Sequence, residues 1–212
     1  MSDSKRVRET TPDDRARRVK ARTDKRPSGF TLIRNAVGKE MEECVKVYNE
    51  NVDGTFQWRQ SAKGRRMLAI GKSYTDFPRS VGSSGTSEEV DHIAACIPVE
   101  LPTLPRSNSA LINVYEPGVG IGYHRDAHMD DDDSYVLCVS LGSDCWLDFR
   151  HVETRKRWSV HVPTNSIYIM RGEILTEWEH GIARRKTDPS PTSSGARVTR
   201  RQRTSITLRH VK

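Results

Sequence analysis

LINVYEPGVGIGYHRD, residues 111–126, carries the pattern around which the remaining segments arrange themselves. It ends in His124 and Asp126, two positions apart. On a β-strand such residues point to one face, so an imidazole and a carboxylate project together as adjacent ligands for one metal ion. A third ligand must come from elsewhere, and His180 is the candidate. Two histidines and one carboxylate with open positions form the facial set that holds non-haem Fe(II). Upstream, Asn113 and Tyr115 are again two apart, and Glu116-Pro117-Gly118-Val119-Gly120 interrupts the run with turn residues. The reading is strand, tight loop, strand, with the metal pair on the second strand.

Downstream of this stretch the pattern stays β. Strand-like runs fall at 109–115, 121–126, 135–141, 144–149, 157–162, 166–170 and 203–211. Many short strands separated by turn residues indicate a sandwich or barrel. The last run carries the second signal. Arg203, Ser205, Thr207 and Arg209 share one face and alternate with Thr204, Ile206 and Leu208. Two arginines on an inward face need anions, because an unpaired buried charge is costly. A dicarboxylate suits the bidentate fork of a guanidinium. Residues 184–202 form a polar, basic loop that is too long for a simple connection, and are expected to be functional or disordered.

Upstream, a strand is expected at 29–33 and a helix near 38–50, where Met41, Cys44, Val45 and Tyr48 fall on one face. A second helix is expected over about 87–97. Thr86 and Glu89 make a capping box at its start, and Pro98 ends it. Between the two, residues 55–85 interleave aromatic and basic side chains. That mixture suits base stacking and backbone contact on single-stranded nucleic acid, with Trp58, Arg65, Arg66, Tyr74 and Arg79 as candidate contacts. The alternative is a pair of amphipathic strands whose aromatics face a core.

The 212 residues suffice for one domain and a tail. Residues 1–28 are basic and nearly free of large apolar side chains, so they are expected to be disordered. Residues 29–212 are then the folded domain. A formal net charge of +7 favours a polyanionic partner. The four cysteines show no C-x-x-C spacing, so neither a zinc knuckle nor a redox motif is expected. The N-terminus carries no apolar leader and no run reaches the length of a membrane span. The expected setting is a reducing intracellular compartment, cytoplasm or nucleus, with a monomer as default.

The combined motifs resemble those of the AlkB family of Fe(II)- and 2-oxoglutarate-dependent dioxygenases. The family pattern N-x-Y-x-x-G-x-x-I-x-x-H-x-D is met by Asn113, Tyr115, Gly118, Ile121, His124 and Asp126. His180, in Trp178-Glu179-His180-Gly181-Ile182, matches the distal iron histidine, and Arg203 to Arg209 matches R-x-N/S-x-T-x-R. The likeness covers roughly residues 30–211 and is closest to the tRNA wobble-uridine branch, AlkB homologue eight, through residues 115–128, 140–149 and 203–211. Two departures stand out: Ser205 where the bacterial founder has Asn, and His128 where a base-demethylating member often has Asp. Nor does the length leave room for the RNA-recognition and methyltransferase modules that accompany that branch in animals.

The resemblance implies a mainly β protein with flanking helices (α+β), a double-stranded β-helix or jelly roll. It implies Fe(II) held by His124, Asp126 and His180, with 2-oxoglutarate as cosubstrate and O2 as oxidant. Arg203, helped by Asn113 and Tyr115, would bind the distal carboxylate of 2-oxoglutarate. Ser205 and Thr207 would complete that site, and Arg209 would lie near its C1 end. His128 joins the candidate substrate contacts. The implied reaction is oxidation of nucleic acid, RNA before DNA, by oxidative demethylation of alkylated bases. Alternatives are hydroxylation of a tRNA wobble-uridine side chain, a protein hydroxylase or demethylase, and a non-catalytic RNA-binding module.

Overall fold

A computed structural model describes residues 26–72, 85–97, 104–126 and 133–211. In chain order its elements are β1 (Phe30–Ile33), α1 (Lys39–Glu50), β2 (Arg59–Gln60), β3 (Arg66–Gly71), α2 (Ser87–Ala95), β4 (Ser109–Tyr115), β5 (Ile121–His124), β6 (Tyr135–Leu141), β7 (Cys145–His151), β8 (Arg157–Val162), β9 (Ser166–Arg171), α3 (Glu173–Thr176), β10 (Trp178–Ile182), β11 (Thr187–Pro189), β12 (Arg197–Thr199) and β13 (Arg203–Arg209). Most of the basic stretch 1–28, together with Tyr74, Arg79 and His128, lies outside the described residues.

The period-two pattern sorts the side chains onto two faces. A seven-stranded sheet runs β1-β9-β6-β13-β4-β3-β2, and a four-stranded sheet runs β5-β10-β7-β8. On β13, Ile206 and Leu208 point to one face of the larger sheet, where they join Ile112 of β4, Leu137 and Val139 of β6, and Ile167 and Ile169 of β9. Helices α1 and α2 cover that face with Met41, Cys44, Val45, Tyr48, Val90 and Ile93. The opposite face turns Cys138, Val136, Tyr168 and Met170 toward Leu147, Phe149 and Val162 of the smaller sheet. Two antiparallel sheets packed in this way make a jelly roll. Each Ile or Leu sealed in these layers stabilises the fold by roughly 1.5–3 kcal/mol relative to exposure.

β6 is buried at all seven positions because both of its faces are covered, which is why YVLCVSL reads as a continuous apolar run. α1 buries the predicted face, Met41, Cys44, Val45 and Tyr48. It stops at Asn51, which takes a left-handed conformation with φ 42° and donates its N–H to Val47 O at 3.1 Å. α2 starts at the predicted box, where Thr86 N–H donates to Glu89 Oε2 at 2.6 Å.

Two local expectations are corrected. β5 ends at His124, not at residue 126, because its ladder with β10 runs out at the pair His180 and His124. Asp126 then leaves the strand path toward Arg209. Of the two alternatives for 184–202, functional or disordered, disorder does not hold. β11 and β12 pair within it as a two-stranded ribbon. Asp188 pins that ribbon by accepting hydrogen bonds from Arg200 Nε at 2.5 Å, Arg200 Nη2 at 2.9 Å and Arg185 Nε at 2.6 Å. Trp146 Nε1 donates to Pro189 O at 3.0 Å and ties the ribbon to β7.

Candidate active site

The turn between β4 and β5 sets the position of the metal pair. Pro117 and Gly118 are its central residues, Gly118 has φ +93°, and Val119 N–H donates to Glu116 O at 2.9 Å. Pro followed by Gly at positive φ is the signature of a type II turn. β5 then lies on β10 with His124 directly opposite His180. Gly181 makes that approach possible. A Cβ there would stand 2.9 Å from Ile121 O and 3.1 Å from Tyr123 N.

The two imidazole rings are 4.4 Å apart, centroid to centroid. One donor atom each from His124, Asp126 and His180 lies within 4.8 Å of the other two. His124 Nδ1 sits 2.9 Å from Gly122 O; donating its proton there leaves Nε2 as the ligating nitrogen. The Asp126 carboxylate is divided between two tasks. Its Oδ1 accepts from Arg209 Nη2 at 3.0 Å, and its Oδ2 stands 3.6 Å from His180 Nε2. Burial opposes ionisation of Asp126, but Arg209, His180 and His124 outweigh it and hold the carboxyl below its usual range. Burial lowers His180 to about 4, so its ring is neutral and able to ligate.

The triad opens into a cavity of about 420 Å³ between the two sheets. Asn113, Tyr115, Arg203, Ser205, Thr207 and Arg209 all line it, brought together by the pairing of β13 with β4. Arg203 is 4% exposed. Its Nε donates to Ser140 Oγ at 3.0 Å, and its guanidinium carbon lies 5.5 Å from the centre of the Tyr115 ring. Both remaining nitrogens, Nη1 and Nη2, are buried without a hydrogen-bond partner, as is Asn113 Oδ1. A buried guanidinium with two unused donors is costly in isolation and is complementary to a carboxylate. The residues therefore fit the pair of groups expected here: a divalent iron on the His, Asp, His set and a dicarboxylate ending at Arg203.

Of the candidate substrate contacts, Arg65 lines the cavity and is buried. Trp58 and Arg66 stack on each other, with the guanidinium carbon 4.6 Å from the ring centre. Trp58 Nε1 donates to Tyr48 O at 3.0 Å, which seats the indole against α1. Ser140, which accepts from Arg203, and Tyr168, which lines the cavity, are absent from the sequence-derived set. Ser140 had a signal, since it is the one aliphatic hydroxyl inside the apolar run of β6.

A profile of the 2OG-Fe(II) oxygenase superfamily matches residues 13–209. The chain is 29% identical over 206 residues to mouse tRNA (carboxymethyluridine(34)-5-O)-methyltransferase ALKBH8, covering 88% of this chain and 31% of that protein. It is 38% identical over 114 residues to the ALKBH8 of Xenopus tropicalis, covering 48% of this chain and 18% of that one. The chain thus spans less than a third of either relative. The solved structure of OsALKBH1 superposes with a TM-score of 0.59 at 20% identity, over 87% of this chain and 99% of that one. Agreement of the jelly roll, the triad and the matched segment places this chain in the 2OG-Fe(II) oxygenase superfamily, as a dioxygenase.

Proposed function

We propose that this dioxygenase hydroxylates a carbon on the side chain of a modified uridine in tRNA. The carrying observation is the cavity in which the His124, Asp126, His180 set faces the unpaired Nη1 and Nη2 of buried Arg203. Similarity to relatives named for tRNA carboxymethyluridine supports the choice of substrate over an alkylated base. The net charge of +7 supports a polyanionic partner.

In this reading His124, Asp126 and His180 hold Fe(II). Arg203 grips the distal carboxylate of 2-oxoglutarate through Nη1 and Nη2. Tyr115 and Asn113 flank that end, and Ser205 and Thr207 line the path between it and the metal. Arg209 fixes the orientation of Asp126, so that one carboxylate oxygen is left for the ion. Val136, Leu147, Met170 and Ile182 form apolar cavity walls that keep water from the reacting carbon. When bound with O2, iron and 2-oxoglutarate supply the oxidant for the C–H bond, with succinate and CO2 as co-products.

The test is incubation of the chain with Fe(II), 2-oxoglutarate, O2 and tRNA, followed by mass spectrometry of the nucleosides. A uridine derivative heavier by one oxygen atom, with succinate and no formaldehyde, is the expected result. Formaldehyde release together with loss of a methyl group would overturn it in favour of demethylation of an alkylated base, a reading supported by the AlkB-type fold.

A further inference from the structure

The helical layer contains a second cluster of soft metal donors, well separated in sequence from the triad. Cys44 on α1, His92 on α2 and Cys96 at the C-terminal cap of α2 place one donor atom each within 4.8 Å of the other two. His92 and Cys96 are four residues apart. They therefore stack on one face across a single turn, and Cys96 N–H lies 3.3 Å from His92 O. Cys44 reaches them from the neighbouring helix, on the same face as Met41, Val45 and Tyr48. Cys44 is buried, Cys96 half-buried and His92 exposed, so the cluster has an apolar floor and an open side.

We propose that Cys44, His92 and Cys96 form a second metal site that takes Zn(II) and clips α1 to α2 over the larger sheet. Two thiolates and one imidazole are a zinc-type donor set, and the fourth tetrahedral position on the open side belongs to water. Thiolates disfavour the hard ions that carboxylates select, so this cluster and the iron triad sort different metals. The other two cysteines, Cys138 and Cys145, join no such group among the described residues. Convergence at Cys44 is thus not a by-product of thiols being buried. Ligation by two thiolates means that metal uptake releases protons. The clip joins two helices whose apolar faces already share one core. Its expected effect is to stiffen the layer behind β3 and β4.

Cobalt(II) titration of the reduced full chain tests the proposal, because thiolate ligation gives a near-ultraviolet charge-transfer band that His and carboxylate ligands lack. The expected result is two bound equivalents, one of them with the thiolate band. His92→Ala, at an exposed position, should weaken that equivalent by more than the roughly 10–100-fold typical of losing an outer hydrogen bond. Cys96→Ser should reduce the band itself. His124→Ala should remove the other equivalent and leave the band intact. Absence of the band in folded, reduced wild type would overturn the proposal, as would a band indifferent to both the His92 and Cys96 variants. Recovery of a Cys44–Cys96 disulfide without metal, after purification in the presence of Zn(II), would overturn it in favour of a redox pair.

Discussion

Arg209 donates one hydrogen bond, Nη2 to Oδ1 at 3.0 Å, to Asp126, a residue 83 positions earlier in the chain. Both side chains are nearly sealed from solvent. The bond uses one carboxylate oxygen and leaves the other beside His180. An outer partner of this kind sets the aim and basicity of a metal ligand. Arg209→Met should therefore weaken Fe(II) or Mn(II) binding roughly 10- to 100-fold, measured anaerobically, with the fold intact. Asp126→Ala should abolish metal binding altogether.

Arg203 predicts opposite effects on stability and on ligand binding. Its two buried, unpartnered nitrogens burden the ligand-free fold. Arg203→Met should raise the urea midpoint of the ligand-free protein. The same change should weaken 2-oxoglutarate binding by about 2–4 kcal/mol, since a buried carboxylate loses its charged partner. Urea unfolding of the ligand-free protein and calorimetric titration with the dicarboxylate read the two effects.

Gly181 ties packing to chemistry. A methyl group at this position would press on the β5 backbone at Ile121 and Tyr123. β5 lies at the edge of its sheet, so it can yield, and yielding carries His124 away from His180. Gly181→Ala should lower metal affinity by at least about tenfold while costing only modest stability, because a site loose by an ångström fails before its scaffold does. Parallel metal titration and urea unfolding separate the two effects.

Asp188 gives the ribbon a pH signature. Burial favours its neutral form, but the hydrogen bonds from Arg200 and Arg185 outweigh burial and hold its carboxyl below the usual range. A depressed carboxyl contributes stability above its unfolded value, about 3.9, and loses it as pH falls through the folded value. The contribution is complete at neutral pH and disappears in acid below about pH 4. Asp188→Asn should destabilise the protein by about 3 kcal/mol at pH 7, because it strands the buried Arg200. The difference from wild type should shrink as the medium is acidified.

Motifs that follow strand periodicity were legible in the sequence. Arg203, Ser205, Thr207 and Arg209 line the cavity because a ladder imposes alternation on every strand. The helical face of α1 was legible for the same reason at period 3.6. Asp126 was harder, because it lies beyond its strand and is placed by an ion pair with a residue 83 positions away. The ribbon at 187–199 was missed because its anchor is the Asp188–Arg200 bridge, and its composition alone reads as a loop. Trp58 and Arg66 have the composition of a nucleic-acid surface and stack on each other. Cys44 and Cys96 share no local spacing; only the packing of α1 beside α2 brings them together.

β13 is the last strand among the described residues, yet it lies in the middle of the seven-stranded sheet, between β6 and β4. Until it arrives, β4 and β6 each present an open edge. Closing it requires pairings such as Arg203 with Tyr115 and Thr207 with Cys138. Contacts that distant in sequence slow folding and prolong exposure of pairing-competent edges. During synthesis the sheet therefore stays split in two until residues 203–209 leave the ribosome. A chain stopped short of them would lose the wall that carries both arginines and would expose two adhesive edges. Catalytic competence and protection from aggregation are completed by the same seven residues, in the same late step.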